Sequence, residues 1–279
     1  MLRSALRTIM SVDNEYRMRQ MVWRTLPVAH RSRFTNIFHT CNHKTASQWV
    51  RIVLSDHLVY RRSGLLPQVN RGSAYVPRER CFKTFPEGTI VTPLYIHYQN
   101  FCQLEKPAEY AAFFVSRDPR DIVTSLYFSN RYSHPRNPEV SQLRRTLSQM
   151  SMEEGLLYTI DALDDTGQFD SMRSWAAAAR NDSRVKILKY EDLTGADGSQ
   201  SFRKLFEHCD IAMERKIIER LLRRYRFERF SGGRAKGDTR VKSKYRRGLP
   251  GDWANHFTAS VVSAFQQTAG DLLDKLAYA

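Results

Sequence analysis

Short apolar segments alternate with longer stretches of helical periodicity along most of this chain. The run at 111–115 is continuously apolar, as expected for a strand buried on both faces of a sheet. Shorter β-type segments lie at 35–38, 88–97 and 185–190, and the second of them is interrupted by Pro93. Apolar residues at helical spacing predict helices at 47–60, 121–128, 139–180, 199–209, 214–224 and 259–276.

Strands that alternate with helices predict an α/β fold with a central, mainly parallel sheet covered by helices on both faces. In such sheets ligands bind at the carboxyl ends of the strands. A length of 279 residues is near the upper end for one hydrophobic core. We therefore expect a single domain at 34–279. A basic amphipathic extension at 1–33 precedes it and packs as an arm or, alternatively, contacts an anionic membrane surface.

Composition argues against several classes of protein. No apolar run approaches the ~18 residues that a membrane span needs, and the N-terminus lacks the continuous apolar core of a secretory signal. The four cysteines are scattered without a C-x-x-C pair, which speaks against a disulfide framework and a zinc site. We expect a cytoplasmic protein that needs no metal ion.

Positive charge is concentrated in one part of the chain. The net charge is +15, and residues 215–247 carry 14 Lys and Arg against 3 Asp and Glu. Such a block suits a solvated face, a nucleic-acid patch, a membrane-surface patch or a pocket for a multiply charged anion. Charge alone does not choose among these four.

The first β-type segment runs into a loop that carries the side chains of an anion site. After Ile37 and Phe38 the chain becomes polar, with Lys44 and Ser47 just before a helical pattern that starts at about Trp49. Free N–H groups and the helix dipole make such a helix start a binding site for anions. The simpler interpretation is a helix cap with a solvated lysine.

This loop differs from the nucleotide-triphosphate P-loop. That motif is G-x-x-x-x-G-K-[ST], and its glycines are absent here, with His43 directly before Lys44. The loop therefore predicts an anion site of another kind.

Three later motifs fall at strand ends or in the basic region. The chain reads Arg-Asp-Pro-Arg-Asp at 117–121, Lys-Tyr-Glu-Asp-Leu at 189–193 and Tyr-Arg-Arg-Gly-Leu-Pro-Gly-Asp-Trp at 245–253. In this order, and together with the Lys44 loop, they resemble the sulfotransferases that use 3′-phosphoadenosine 5′-phosphosulfate (PAPS). The resemblance covers about 34–258 and implies a P-loop-like strand–loop–helix that holds the phosphosulfate.

The resemblance implies a set of nucleotide contacts, position by position. Lys44 matches the lysine that contacts the leaving phosphate. Arg117 and Ser125, eight residues apart, match the pair that grips the 3′-phosphate, with Ser125 expected early in its helix, where free N–H groups assist. The phosphosulfate loop also includes Thr45, Ala46, Ser47 and Gln48. The remaining implied contacts are Trp49 and Phe227 against adenine, Tyr190 near adenine, and Arg246, Arg247 and Gly248 closing over the 3′-phosphate.

Two positions depart from the family pattern. Ala46 stands where the family usually has glycine, so a positive φ there would be strained. Relatives that act on small molecules also place a histidine after a Lys-Thr pair, whereas here the pair at 83–84 is followed by Phe85. A general base is still required, and we expect His97 first and His43 second.

The sequence therefore predicts an enzyme that transfers a sulfuryl group from PAPS to a hydroxyl or amine and releases 3′-phosphoadenosine 5′-phosphate (PAP). We expect the acceptor to be a small molecule, a lipid or a glycan, and no nucleic acid as partner. Two other functions stay open: a nucleotide-dependent phosphotransferase of related fold, and a protein that binds nucleic acid or another polyanion through 215–247. An inactive relative of the enzymes is a further alternative.

Overall fold

A computed structural model describes residues 20–70, 73–75, 84–135 and 137–278. Most of the predicted extension at 1–33 lies outside these ranges, as does Lys83 of the Lys-Thr pair. Within them, no helix is long and apolar enough to cross a membrane.

A parallel sheet forms the centre of the protein. Its strands are β1 (Asn36–Cys41), β2 (Leu66–Gln68), β3 (Ser73–Ala74), β4 (Thr89–Ile96), β5 (Tyr110–Ser116) and β6 (Val185–Lys189). The strand order is β2-β4-β1-β5-β6, with β3 beside β4, and all of these pairs are parallel. β1 therefore lies in the middle, with β4 on one side and β5 on the other. The predicted α/β fold with a mainly parallel sheet is confirmed.

Helices cover both faces of the sheet. They are α1 (Ser47–Leu54), α2 (His57–Arg61), α3 (Tyr98–Gln103), α4 (Pro119–Phe128), α5 (Pro138–Gln149), α6 (Met152–Asp165), α7 (Gln168–Asn181), α8 (Tyr190–Thr194), α9 (Gly198–His208), α10 (Arg215–Arg224), α11 (Phe227–Ser231), α12 (Ala259–Ala269) and α13 (Asp271–Lys275). A π-helical turn, Ser129–Ser133, follows α4, and a 3₁₀ turn, Asp252–Asn255, precedes α12.

The core has two halves, one on each face of the sheet. Phe38 and Phe114 point to the face covered by α4, α6 and α7, where Trp175 is fully buried. Ile37 and Phe113 point to the opposite face, against α1, α9 and α10. Successive residues of β5 point alternately into one half and the other. Because both of its faces are buried, its sequence is apolar throughout rather than alternating between apolar and polar.

Several predicted elements are divided or extended in the structure. The helix predicted at 47–60 is two helices, because Asp56 caps the start of α2 by accepting the Leu58 N–H at 2.8 Å. The helix predicted at 139–180 is three, separated by a capping box at Ser151 and by Gly167 in the left-handed region. The first strand continues past 38 to Cys41, because its polar residues are also buried and paired.

Candidate active site

The loop between β1 and α1 is tied to its surroundings by its own side chains. Thr45 is fully buried, and its hydroxyl donates to the Asn42 carbonyl at 2.9 Å. The Asn42 amide in turn donates to the Gln168 carbonyl at 2.7 Å. Thr45, implied as a cofactor contact, thus has its hydroxyl engaged inside the loop.

The loop backbone leaves the start of α1 open. Lys44 and Ala46 both have positive φ, at 67° and 58°. Ala46 is the N-cap of α1 and contributes no side-chain hydrogen bond, so the first N–H groups of the helix stay available to a ligand. Ala46 therefore has the positive φ at which strain was expected. As the N-cap, it also orients the free N–H groups of α1.

Lys44 lies in a strongly positive environment. Burial, together with the charges of Arg117, Lys244 and Arg246, lowers the pKa of Lys44 to about 8. No carboxylate of the described residues lies within ion-pair distance of its ammonium group. An anionic ligand would stabilise the charged form of Lys44, because its negative charge would compensate the positive potential of these neighbours.

Arg117 links the end of β5 to the Lys44 loop. It donates through Nη1 to the Lys44 carbonyl at 3.0 Å and through Nη2 to Asp121 at 3.2 Å. Its guanidinium lies 4.5 Å from the ring centre of Tyr190, the residue implied to be near adenine. Its Nε is buried and has no partner in the structure.

Asp121 connects this region to the C-terminal segment, which we define as residues 244–253. Besides the Arg117 guanidinium, its carboxylate accepts the Gly251 N–H at 2.8 Å and the Trp253 N–H at 3.0 Å. Asp121 is fully buried, so each of these bonds is shielded from water. The sequence suggests Asp121 as a possible ion-pair partner of Arg117, and this pair is present; the bonds from Asp121 to the C-terminal segment were not predicted.

Asp252 pairs with the two arginines implied to close over the 3′-phosphate. Arg246 and Arg247 each approach one of its carboxylate oxygens, and His256 lies 3.3 Å away. Although burial opposes ionisation, these partners hold the pKa of Asp252 far below its usual range. Both arginines therefore already have a carboxylate partner within the segment, although its single charge compensates only one of them.

Gly248 and Phe227 lie in close contact. Gly248 has φ +75°, and a Cβ placed on it would lie 2.6 Å from a ring carbon of Phe227. A glycine is needed here for both reasons.

Trp49 is packed and hydrogen-bonded within the protein. Its indole N–H donates to the Tyr225 carbonyl at 2.7 Å, and its ring meets Phe202 edge-on at 5.5 Å. An adenine could contact only the part of this half-buried side chain that is not used by these two contacts.

Ser125 lies deeper in its helix than expected. Because α4 begins at Pro119, Ser125 is the seventh residue, and its N–H is not among the four unpaired ones at the helix start. The expectation of an early helix position was wrong. Its half-buried hydroxyl has no hydrogen-bond partner among the described residues.

Three side chains meet at the start of α1. The Tyr95 hydroxyl lies 2.7 Å from the Ser47 hydroxyl and accepts from the Gln48 amide at 3.2 Å. Ser47 and Gln48 belong to the implied phosphosulfate loop, whereas Tyr95 comes from β4. Because Tyr95 lies outside the sequence motifs, this contact was not predicted.

The two histidines proposed as bases have different surroundings. His97 follows the carboxyl end of β4 and caps α3, with its Nδ1 accepting the Gln99 N–H at 3.1 Å. His43 packs at 4.4 Å from the Tyr95 ring, and burial and the Lys44 charge lower its pKa to about 4. Phe85 precedes β4 and packs against Phe38, in the amino-terminal half of the sheet.

The fold and this loop define a class: a parallel α/β protein with a candidate anion site between the central strand and a helix. A family model described as "Sulfotransferase domain" matches residues 111–277. The chain belongs to the sulfotransferase family.

Individual relatives are distant. Sulfotransferase 1E1 of Rattus norvegicus is 22% identical over 165 residues, which cover 55% of this chain and 52% of that protein. The chain thus spans about half the length of this curated relative.

Solved structures share the fold. Mouse sulfotransferase SULT7A1 complexed with PAP gives a TM-score of 0.59 at 18% identity, over 88% of this chain and 86% of that one. Retinol dehydratase in complex with androsterone and inactive cofactor PAP gives 0.54 at 14% identity, over 86% and 80%. At these identities the likeness establishes architecture, and the roles of individual residues have to come from this chain.

Proposed function

We propose that this protein transfers a sulfuryl group from PAPS to a hydroxyl or amine of an acceptor and releases PAP. The observation that carries the proposal is the positive potential at Lys44, whose pKa is lowered to about 8 by burial and by three neighbouring cations from distant parts of the chain. A donor with several negative charges is the ligand that such a site favours. Family membership and neighbours that bind PAP support the choice of nucleotide.

The donor groups suit a phosphosulfate nucleotide. The open N–H groups at the start of α1, which include that of Ser47, and the Lys44 ammonium can hold the 5′ end. The buried, unpartnered Nε of Arg117 indicates a missing acceptor on the β5 side, where the 3′-phosphate would lie. Ser125 would add its hydroxyl there, and Arg246 and Arg247 would exchange Asp252 for phosphate oxygens.

PAPS supplies the sulfuryl group: the acceptor oxygen forms a new bond to sulfur as the bond from sulfur to the 5′-phosphate oxygen breaks, and that oxygen leaves as part of PAP. Lys44 would stabilise the negative charge that develops on this oxygen. Gln48 would orient the transferred group. A base must take the acceptor proton.

We propose His97 as this base. It follows β4 at the carboxyl edge of the sheet, and the Asp170 carboxylate favours protonation of its ring, although burial is the larger effect and lowers its pKa. Around His43, by contrast, the Lys44 and His134 charges oppose protonation. Because His97 Nδ1 accepts the capping N–H, its proton lies on Nε2, and taking up a second one requires the capping bond to open.

His97→Ala should abolish turnover and leave PAP affinity within about twofold, since the side chain is not assigned to the nucleotide. His43→Ala is the matched comparison. If His97→Ala keeps full activity and His43→Ala loses it, His43 rather than His97 is the base.

The function itself is tested by transfer of labelled sulfate from PAPS to a panel of phenols, sterols, glycans and tyrosine peptides. PAP should bind more tightly than ADP, because Arg117 would contact the 3′-phosphate that ADP lacks. A phosphotransferase would prefer a nucleoside triphosphate, and a polyanion-binding protein would bind nucleic acid with a steep salt dependence. Absence of both transfer and PAP binding would disprove the proposal.

A further inference from the structure

Tyr95 is a half-buried tyrosine whose hydroxyl group lies against the first turn of α1, next to the Lys44 loop. It is the seventh residue of β4, the strand beside β1, and its side chain reaches across to the first turn of α1. There its oxygen lies 2.7 Å from Ser47 Oγ and 3.2 Å from Gln48 Nε2. These partners are the first two residues of a helix whose N-cap supplies no side-chain bond.

The pattern of hydrogen bonds allows Tyr95 to donate its proton to a ligand. Gln48 Nε2 is a donor, so it must use an oxygen lone pair of Tyr95. The Ser47 hydroxyl can serve as donor or acceptor in the shorter contact. With Ser47 as donor, Tyr95 accepts twice and its own O–H points elsewhere. Burial, the largest effect, raises the pKa of Tyr95 to about 12, so the hydroxyl keeps its proton at neutral pH.

The strand order determines which end of a nucleotide Tyr95 would meet. Arg117 follows β5 on one side of β1, whereas Tyr95 belongs to β4 on the other side. If the 3′-phosphate lies on the β5 side, the chain of phosphate and sulfuryl groups runs over the loop toward β4. The group on the β4 side is then the sulfuryl group, and His97 lies just beyond the same strand.

We propose that Tyr95 binds the sulfuryl group of PAPS by donating its hydroxyl hydrogen bond, and so distinguishes PAPS from PAP. This inference rests on the proposed function. PAP ends at the 5′-phosphate, and therefore has no atom for this contact. Tyr95 is then a donor-specificity residue that the motifs of the chain do not reveal.

The experiment compares PAPS and PAP binding by calorimetry, without an acceptor, in wild type and in Tyr95→Phe. Phenylalanine keeps the ring and its 4.4 Å contact with His43 and removes only the hydroxyl. PAPS affinity should fall about tenfold, because one hydrogen bond to a charged group is lost. PAP affinity should change less than about twofold, since the contact is absent from that complex.

Tyr98→Phe is the matched control, because its hydroxyl contacts Asp182 at 3.3 Å in another part of the protein. It should change neither affinity. Equal weakening of PAPS and PAP in Tyr95→Phe would show that Tyr95 only supports the loop, and no change in either would show no contact; both results overturn the inference. If the wild-type protein binds neither ligand, the proposed function fails instead.

Discussion

The two regions that face the candidate nucleotide site are built in opposite ways. The loop at 42–46 lies between the central strand and a helix, and Asn42 and Thr45 are almost fully buried. Before its 3₁₀ turn, the C-terminal segment has no helix or strand, and side-chain contacts hold it in place. The loop is thus fixed by the sheet, whereas the segment is fixed by ion pairs and hydrogen bonds.

The basic side chains of the two regions also differ in their ion-pair partners. Lys44 has no acidic partner within ion-pair distance among the described residues, whereas Arg246 and Arg247 share Asp252. A cation kept unpaired is ready for an anion, and a paired one must first exchange its partner. The comparison teaches that Lys44 could accept an anion without giving up an ion pair, whereas Arg246 and Arg247 would first have to separate from Asp252.

The strongest test removes the carboxylate that joins the two regions. Asp121→Ala should lower the free energy of unfolding by about 3–5 kcal/mol, because the buried charge of Arg117 loses its ion pair and two backbone N–H groups lose their acceptor. Urea denaturation measures this change, and faster amide exchange at Gly251 and Trp253 would show that the segment has come loose.

Asp271→Ala is the control for this loss. Asp271 pairs with Arg173 and Lys275 at the surface, where ion pairs contribute less than about 1 kcal/mol. If Asp121→Ala costs no more than Asp271→Ala, Asp121 does not join the loop to the segment.

The second test addresses the unpaired cation. Lys44→Ala should reduce turnover by about 10²–10³-fold, the usual cost of removing one group that stabilises developing charge. Steady-state kinetics with PAPS and an accepted acceptor measure it. Lys236→Ala, which removes an exposed lysine bonded to the Thr194 carbonyl, should change turnover little. Comparable losses in the two variants would mean that general positive charge, rather than Lys44 itself, is responsible.

The sequence was sufficient for four of the six strands and for the loop, because these depend on local patterns. Apolar runs predicted β1, β4, β5 and β6, and the polar residues after Phe38 located the loop at the carboxyl end of β1. The short strands β2 and β3 were not predicted. The contacts that complete the site could not be predicted from the sequence, because they join residues that are far apart along the chain. Asp121 meets Gly251 across 130 residues, and Tyr95 meets Ser47 across 48. Charge counting likewise could not show that two of the arginines in the basic block share Asp252 as their partner.

The third test uses pH to separate the two regions. With the pKa of free Lys44 at about 8, the ammonium is charged below pH 8 and loses its proton above it. Bound anion would raise this pKa, so binding takes up a proton above pH 8, and PAP affinity should fall there by up to about tenfold per pH unit. Calorimetry at pH 7, 8 and 9 measures this fall. Lys44→Arg, which stays charged, should show a flat profile, and an unchanged decline in that variant would assign the effect to another group.

The smallest effect concerns the backbone of the loop. Ala46 has φ 58°, a left-handed conformation that glycine adopts without the steric cost of a Cβ. Ala46→Gly should therefore raise the free energy of unfolding by about 0.5–1 kcal/mol, the steric relief being partly offset by the greater freedom of glycine in the unfolded chain. Gly88→Ala is the reverse change at φ +73°, where a Cβ would meet nothing within 4 Å, and it should destabilise by a similar amount. If denaturation shows Ala46→Gly to be destabilising, the contacts of the alanine methyl outweigh its strain, and the loop is held by packing as well as by its hydrogen bonds.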